Sequence, residues 1–201
     1  MSANLKHKYT LEEYFELDRT SEERWEYFDG EVFNMSGVSH AHGRIEVNII
    51  SRLSSRLANR NCEVFPANIR LKVPAMPPYR YADVSALCGA AKFEKIGGVD
   101  VLTNPQLIIE ILSDSTAAYD RGAKFTQYKS VPTFNEYLLI AQDRASVTQI
   151  FKRDDEWIYR DFEDMETAVH LPSLDCELQL SEIYRNVEFP PDDALEAENL
   201  T

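Results

Sequence analysis

The sequence predicts one domain of the α/β class. Of its 201 residues, 44% are hydrophobic and 27% are charged, which is a globular composition. Short apolar segments with the length of strands alternate with segments of helical periodicity. The chain also lacks repeats and internal linkers, so a single core is expected over residues 1–187. Residues 188–201 contain five acidic residues and no Lys or Arg, and we expect them to form a disordered tail.

The first expected elements are a short helix and a hairpin. Thr10 and Glu13 have the spacing of a capping box, so a helix is expected from Thr10 to about Asp18. Alternating aromatic residues flank Asp29 and Gly30, a pair that favours a tight turn. This combination predicts a β-hairpin.

A long helix and several strands are expected after the hairpin. Ser39 can cap an amphipathic helix from His40 to about Asn59, with an apolar stripe at a spacing of four residues. Strands are expected where short apolar or β-branched runs occur, and Ser181 is expected to cap a final helical turn. The stripe and the strand segments are Ile45, Ile49, Leu53 and Leu57, and residues 62–65, 69–73, 82–88, 107–112, 136–142, 147–152 and 157–162.

Cysteine usage and hydropathy bear on location. Cys62, Cys88 and Cys176 are odd in number, far apart and without a CxxC spacing, so we interpret them as thiols in a reducing cytoplasm. No apolar run approaches the ~20 residues that a membrane-spanning helix needs, and the N-terminus lacks the features of a signal peptide. The sequence therefore predicts a cytoplasmic protein that does not act at a membrane.

The stretch from residue 104 to residue 130 contains a charge where a core is expected. Glu110 lies in the middle of the apolar run 107–112, where a buried carboxylate is costly unless it is paired. Hydroxyl-bearing residues follow and suit a helix cap, and the helix expected from about Ala118 to Lys129 carries Lys124. Since this helix must pack back on the strand, Lys124 is expected near Glu110.

Two further acids occupy expected strand positions, Glu31 in the hairpin and Asp83 in the segment 82–88. Mg²⁺ prefers oxygen ligands and usually takes one or two carboxylates, keeping waters for chemistry. A lysine beside such a site can orient or deprotonate the attacking water, or neutralise charge on a phosphate. Acid, acid and lysine around one cation therefore suit cleavage of a phosphodiester.

Several short segments together carry a family resemblance. They are Asp29-Gly30-Glu31, SHAHGRI at 39–45, Ala82-Asp83-Val84, EILS at 110–113, DRGAK at 120–124 with Tyr128, and EYLLI at 136–140. This pattern resembles the PD-(D/E)XK nuclease superfamily, and within it a bacterial branch of restriction-endonuclease-like proteins of unknown function. The resemblance extends from about residue 10 to residue 185. It implies a restriction-endonuclease-like fold, in which a mixed central sheet is flanked by helices.

The resemblance also implies site residues. Asp83, Glu110 and Lys124 would be catalytic, and Mg²⁺ or Mn²⁺ would bind at Asp83, Glu110 and Glu31. Two positions depart from the superfamily pattern: Ala82 stands in place of the proline before the first acid, and Leu112 stands in place of the lysine after the second. The lysine is then relocated to Lys124. A degenerate motif of this kind also fits a member that has lost catalysis.

Some of these residues have competing structural interpretations. Glu31 could face water in the hairpin, and Lys124 could pair with Asp120 on its own helix. His42 is expected chiefly to stabilise a helix start, and Tyr128 to pack in the core. Participation in the site stays open for four residues: Glu31, His42, Glu46 and Gln127.

The expected function is that of a Mg²⁺-dependent endonuclease acting on nucleic acid, with DNA favoured over RNA. The net charge of −13 counts against this, because duplex-binding domains usually have a basic footprint. A basic groove beside the acids would favour nucleic acid; its candidate residues are Arg44, Arg52, Arg70, Lys72, Arg80 and Arg121.

Two alternatives stay open. One is a catalytically silent nuclease fold used as a dimeric binding module, and the other is a metal-dependent phosphodiesterase acting on a small substrate. A homodimer is expected in the leading interpretation, because a duplex presents two scissile bonds. Trp25, Tyr27 and Phe33, interpreted as exposed aromatic residues of the hairpin, would supply the contact.

Overall fold

The computed structural model describes residues 7–23, 25–34, 37–113 and 116–190. Its helices and strands follow the alternating order that the sequence predicts. In chain order they are α1 Leu11–Thr20, β1 Trp25–Phe28, β2 Glu31–Asn34, α2 His40–Leu57, β3 Cys62–Pro66, β4 Arg70–Leu71, β5 Arg80–Tyr81, β6 Val84–Cys88, β7 Phe93–Ile96, β8 Val99–Leu102, β9 Leu107–Leu112, α3 Ala117–Tyr119, a π-helical turn Asp120–Lys124, α4 Phe125–Tyr128, β10 Glu136–Ala141, β11 Val147–Arg153, β12 Glu156–Phe162, β13 Ala168–Leu171, β14 Cys176–Gln179 and α5 Leu180–Ile183.

A mixed six-stranded sheet forms the centre of the domain. Its order is β12-β11-β10-β9-β6-β3, and only the β9–β10 pair is parallel. Every residue of β9 and β10 is buried, as expected for near-continuous apolar strands that are covered on both faces. A smaller sheet of order β5-β4-β8-β7 lies beside it. The predicted α/β fold with a mixed central sheet in a single domain is confirmed.

Helices cover the two faces of the central sheet, so the strand alternation divides the core in two. The stripe of α2 is buried against one face, together with Val84, Ile109 and Ile111. Residues of the opposite parity, such as Ile108 and Leu112, pack against α4. Glu110 shares the parity of Ile108 and therefore points to the α4 side. The predicted stripe of Ile45, Ile49, Leu53 and Leu57 is confirmed, with each residue at most 2% exposed.

The N-terminal predictions are confirmed with small shifts of boundary. Thr10 and Glu13 form the expected capping box, and α1 extends to Thr20. The hairpin turn uses Asp29 and Gly30, both with positive φ. The expected exposure of the hairpin aromatics is wrong for two of three. Trp25 and Tyr27 are partly buried against the cluster around Tyr14, whereas Phe33 is 46% exposed.

Other elements differ from the prediction. The β7–β8 hairpin was not predicted, although its turn is Gly97-Gly98, two residues with positive φ that suit a tight hairpin. The β13–β14 hairpin was also not predicted. Ser181 lies inside α5, whose N-cap is Gln179, so the predicted cap is wrong. The acidic tail was predicted to be disordered. Its residues from 191 on lie outside the described part of the chain, so the disorder stays a prediction.

The prediction of three free thiols is wrong for two of them. Cys62 and Cys88 form a disulfide, while Cys176 is free. The two cysteines lie directly opposite each other in the antiparallel β3–β6 pair. A separation of 26 residues in sequence gives no sign of this register, because register depends on the whole pairing of the strands. No helix in the described part of the chain is long and apolar enough to cross a membrane.

Candidate active site

A pocket of about 660 Å³ opens where several parts of the fold meet. They include the β1–β2 hairpin, the start of α2, β5, the start of β6, the end of β9 and the π-helical turn. The residues that line it are Glu26, Phe33, Asn34, Gly37, Val38, Ser39, His42, Ala67, Arg80, Tyr81, Ala82, Asp83, Glu110, Ile111, Ser113, Thr116, Tyr119, Asp120, Lys124 and Gln142. The pocket thus contains Asp83, Glu110 and Lys124, which lie far apart in sequence.

The β6–β9 pairing places Asp83 and Glu110 on one face of the sheet. Val84 pairs with Ile109 in this antiparallel ladder, so the next position of the same register sets Asp83 opposite Glu110. Asp83 Oδ2 also accepts a hydrogen bond of 2.7 Å from the main-chain N–H of Ile111. The prediction that the strands of these two acids are sheet neighbours is confirmed, although Asp83 lies one residue before β6 rather than within it.

The π-helical turn brings Lys124 to Glu110. Lys124 Nζ lies 2.8 Å from Glu110 Oε2 and 3.4 Å from Asp120 Oδ1. All three side chains are buried, with Glu110 3% exposed. The pairing with Asp120, considered as an alternative to a site role, therefore coexists with the contact to Glu110. Single π-helical turns are often found at functional sites.

Glu110 is held by a second partner on the following helix. The hydroxyl of Tyr128 donates a hydrogen bond of 2.8 Å to Glu110 Oε1. Tyr128 is fully buried, as expected for a core residue, but its hydroxyl belongs to the site. Both oxygens of Glu110 therefore have a fixed donor, and each keeps a second lone pair for another ligand.

His42 contacts Asp83, which the sequence did not indicate. His42 Nε2 lies 3.2 Å from Asp83 Oδ1, and the imidazole is buried in the first turn of α2. Ser39 caps this helix by accepting a hydrogen bond from the main-chain N–H of His42. The expected role at the helix start is thus joined by a second role as partner of Asp83.

The pKa shifts of the two acids have opposite directions. Burial raises the pKa of Asp83, but the hydrogen bond and electrostatic attraction of His42, with Lys124 and the Ile111 N–H, lower this pKa overall. Burial raises the pKa of Glu110 well above its ordinary value, against the attraction of Lys124.

The lysine is held in its charged form. Burial lowers the pKa of Lys124, but Glu110, Glu26 and Asp120 outweigh this and raise it overall. The raised pKa of Glu110 favours the proton on the carboxyl group, whereas the raised pKa of Lys124 favours it on the amine. The 2.8 Å contact is that of an ion pair, so we treat Lys124 as an ammonium holding a Glu110 carboxylate.

The hairpin supplies Glu26 to the pocket rather than the predicted Glu31. Glu26 is 8% exposed, and its Oε1 accepts a hydrogen bond of 3.0 Å from the main-chain N–H of Tyr81. Glu31 is not among the described residues that line the pocket. It lies beside the turn, two positions along β2 from Phe33, which does line it.

The remaining residues left open by the sequence lie outside the pocket lining. Glu46 lies one turn after His42 and accepts a long hydrogen bond, 3.5 Å, from the main-chain N–H of Ala67. Gln127 accepts a hydrogen bond of 3.2 Å from the hydroxyl of Tyr119. Both side chains are partly exposed, and neither lines the pocket.

The donor set fits a divalent cation of the Mg²⁺ type. The pocket holds four carboxylates, Glu26, Asp83, Glu110 and Asp120, against the cationic Arg80 and Lys124. Within the described ranges, no three of these acids, or of His and Cys side chains, are placed so that they could hold one metal ion together. Mg²⁺ is usually bound by one or two carboxylates and retained waters, so the pair Asp83 and Glu110 is sufficient. Their orientation by His42, Ile111, Tyr128 and Lys124 fixes the oxygens that would bind it.

Three of the six residues predicted to form a basic groove are in ion pairs outside the pocket. Arg70 pairs with Asp18, Lys72 with Glu94 and Arg52 with Glu182. Arg44 and Arg121 are exposed. Arg80 is buried and reaches the pocket itself.

The fold is that of a restriction-endonuclease-like protein. Residues 11–183 match the model of the Uma2 family, described as "Putative restriction endonuclease", and the chain belongs to this family. An uncharacterised protein of Synechocystis sp. is 30% identical over 183 residues, covering 90% of this chain and 94% of that protein. A second one is 35% identical over 133 residues, covering 66% and 75%.

A solved structure shares the fold. It is the crystal structure of a putative nuclease of the DUF820 group from Anabaena variabilis. The TM-score is 0.69 at 19% sequence identity, and the match covers 88% of this chain and 97% of that chain.

Proposed function

We propose that the protein is a Mg²⁺- or Mn²⁺-dependent endonuclease that hydrolyses phosphodiester bonds of nucleic acid. The observation that carries the proposal is the convergence of Asp83, Glu110 and Lys124 in one pocket. Membership of a family described as restriction endonucleases supports the same reaction class.

Asp83 and Glu110 would hold the cation, which supplies an acidified water and neutralises phosphate charge when bound. Because its pKa is raised, Lys124 stays protonated and has no free amine to act as a general base, so its ammonium group is assigned to stabilising charge on the phosphate and orienting the water. His42 would keep Asp83 ionised, and Tyr128 would orient Glu110. Glu31 has no support as a direct ligand from the pocket geometry, and Glu26 takes its place as the nearby third acid.

The proposed substrate class is nucleic acid. The family description favours DNA over RNA. A small phosphodiester remains a second candidate, because the pocket is rich in carboxylates and Arg52, Arg70 and Lys72 are used in ion pairs. A catalytically silent binding module is the outcome if neither substrate is cleaved.

Assembly and location are further parts of the proposal. Phe33 and Val38 are 46% and 53% exposed at the pocket mouth and could contact a second copy, giving a homodimer. The proposed location is the cytoplasm, where the enzyme would have access to nucleic acid. The Cys62–Cys88 disulfide counts against that location, since such bonds are rare in reducing compartments.

The test compares cleavage of supercoiled plasmid, single-stranded DNA, RNA and a chromogenic bis-phosphodiester, each with Mg²⁺ or Mn²⁺. Asp83→Asn should abolish both metal binding and cleavage. Asp100→Asn, at an exposed acid paired with Lys95, is the matched control and should behave as wild type. Equal cleavage by wild type and Asp83→Asn would identify a contaminant. Absence of cleavage on every substrate, with no metal bound in calorimetry, would refute the proposal.

A further inference from the structure

Arg80 is a buried arginine with one edge left unpaired. It lies in β5 and is 1% exposed. Its Nη1 donates to the main-chain carbonyls of Tyr27 and Tyr79. Nε and Nη2 are buried and have no hydrogen-bond partner in the described part of the chain. Nη1 therefore anchors the side chain to the β1–β2 hairpin, while the other two nitrogens are unsatisfied.

An unsatisfied edge of this kind needs an explanation, because buried donors are rarely left unpaired in folded proteins. Nε and Nη2 carry parallel N–H groups and form the side-on fork of the guanidinium. This fork matches two oxygens of a phosphate or carboxylate. The unpaired atoms of Arg80 are thus the two that bind an oxyanion in bidentate fashion.

The neighbouring Arg70 shows that the same sheet can satisfy an arginine internally. Arg70 lies on β4, which pairs with β5, and its Nε and Nη2 both donate to Asp18 Oδ2 at 3.0 and 2.6 Å. Glu26 is nearby but uses Oε1 for the main-chain N–H of Tyr81, the residue after Arg80. No described carboxylate forms an ion pair with Arg80. The protein thus pairs one arginine and leaves the same edge of the other unused.

Arg80 lies in the wall between two cavities. One is the acid-lined pocket with Lys124, and the other is a smaller cavity of about 350 Å³ whose lining includes Leu11, Met76 and Pro77. An oxyanion is better stabilised in the first, where Lys124 adds a second positive charge and the paired acids suit a cation. The smaller cavity is mainly apolar and offers no second cationic side chain.

We propose that the Nε–Nη2 edge of Arg80 binds the phosphate of the substrate in the acid-lined pocket, opposite the cation held by Asp83 and Glu110. The inference rests on the proposed function and adds a substrate-binding residue to it. Because the edge is buried, the lining side chains must shift slightly as the phosphate enters. Binding is therefore expected to depend on the cation, which offsets repulsion from the four carboxylates.

The first test follows Arg80 directly in the wild-type protein. Inorganic phosphate is titrated in the presence of Mg²⁺, and the Nε–H signal of Arg80 is observed by nitrogen-15 NMR. The proposal expects this signal to shift and saturate, while the Nε–H signal of Arg70 stays unchanged. An unmoved Arg80 signal at phosphate concentrations that saturate the protein by calorimetry would overturn the proposal. No variant is needed, so misfolding cannot obscure the result.

The second test uses Arg80→Lys, which keeps the charge and loses the fork, with Arg70→Lys as the matched control on the adjacent strand. Arg80→Lys should weaken phosphate binding by about 10-fold or more, as expected for loss of a charge-assisted hydrogen bond. It should leave Mg²⁺ affinity in the absence of phosphate unchanged. Arg70→Lys should leave both affinities unchanged. Equal phosphate affinity in Arg80→Lys and wild type would also overturn the proposal.

These outcomes separate the inference from the proposed function. A protein that cleaves no nucleic acid but shows the Arg80 shift would refute the endonuclease and retain the phosphate site. If the wild-type protein cleaves DNA and Arg80→Lys is equally active, the endonuclease is retained and the phosphate site at Arg80 is refuted.

Discussion

Lys124 Nζ lies 2.8 Å from Glu110 Oε2 and 3.4 Å from Asp120 Oδ1, so one buried ammonium group is shared by two buried carboxylates. This arrangement leaves the local charge negative before a cation binds. A divalent ion at Asp83 and Glu110 would remove that excess. The same contacts that suit catalysis therefore determine the stability of the metal-free protein.

Lys124→Ala is expected to destabilise the metal-free protein by about 3–5 kcal/mol, because it leaves Glu110 and Asp120 as uncompensated buried charges. Mg²⁺ should restore part of this stability, since the cation replaces the missing positive charge. The measurement is urea unfolding with and without Mg²⁺. Lys72→Ala, at an exposed pair with Glu94, is the control and should cost no more than about 1 kcal/mol. A Lys124→Ala protein as stable as wild type would contradict this electrostatic account.

Mg²⁺ affinity should fall as the pH falls through the raised pKa of Glu110. Burial raises this pKa despite Lys124, so the carboxyl takes up a proton at a higher pH than an ordinary glutamate. Proton and metal compete for the same oxygens, and affinity should fall about tenfold per pH unit below that pKa. Calorimetric titration with Mg²⁺ over a range of pH checks this. Affinity that stays constant down to the ordinary pKa of glutamate would exclude Glu110 as the ligand that sets the profile.

The sequence could predict the pairing of Glu110 with Lys124, because a charged residue inside an apolar run needs a partner. Glu110 stands out in an apolar run, and Lys124 follows in the segment that packs back on this strand, where it forms part of the π-helical turn. The choice between Glu26 and Glu31 was not predictable. The two acids lie on opposite strands of a hairpin, and their position relative to the pocket depends on how the hairpin docks on β5.

Contacts between distant segments were also beyond the sequence. His42 and Asp83 meet because the N-terminal end of α2 lies over the start of β6, which no local pattern reports. The disulfide depends in the same way on the β3–β6 register. The β7–β8 hairpin is a local feature, and its turn residues Gly97-Gly98 could have predicted it. It was not predicted because β7 contains charged residues and lacks an apolar run.

Glu136→Gln tests a buried acid outside the site. Glu136 is fully buried; its Oε1 accepts from Gln149 Nε2, and its Oε2 accepts from the N–H and hydroxyl of Ser173. Burial raises its pKa despite these hydrogen bonds. Between the ordinary glutamate pKa of about 4.3 and the raised value, the folded state binds more protons than the unfolded state. The free energy of unfolding of wild type should therefore fall, relative to Glu136→Gln, as the pH rises through this window.

The readout for Glu136 is the pH dependence of the difference in unfolding free energy, not its absolute size. A glutamine must place one amide N–H toward an existing donor, either Gln149 or Ser173, so the variant has a constant penalty of its own. Glu177→Gln, at an exposed strand position, is the control and should show a flat difference. A difference for Glu136→Gln that grows in favour of wild type with rising pH would contradict the raised pKa.

His42→Phe tests the partner of Asp83 while keeping an aromatic ring in the same buried place. His42 lowers the pKa of Asp83, so its loss should raise that pKa, measurable by carbon-13 NMR of the carboxyl group. The stability that the lowered pKa supplies is present above the unfolded pKa of about 3.9 and is lost as the pH falls through the folded value. The variant should therefore show a smaller loss of stability in acid than wild type.

His42→Phe should also weaken Mg²⁺ binding by about 10–100-fold, as is usual when the partner of a metal-binding side chain is removed. His40→Phe, at the exposed first residue of α2, is the matched control and should leave Mg²⁺ affinity and the pKa of Asp83 unchanged. If His42→Phe shifted the pKa of Asp83 without changing Mg²⁺ affinity, Asp83 would not be a metal ligand. The arrangement of His42 and Asp83 would then be a structural contact, and the cation would have to be held by Glu110 with other groups of the pocket.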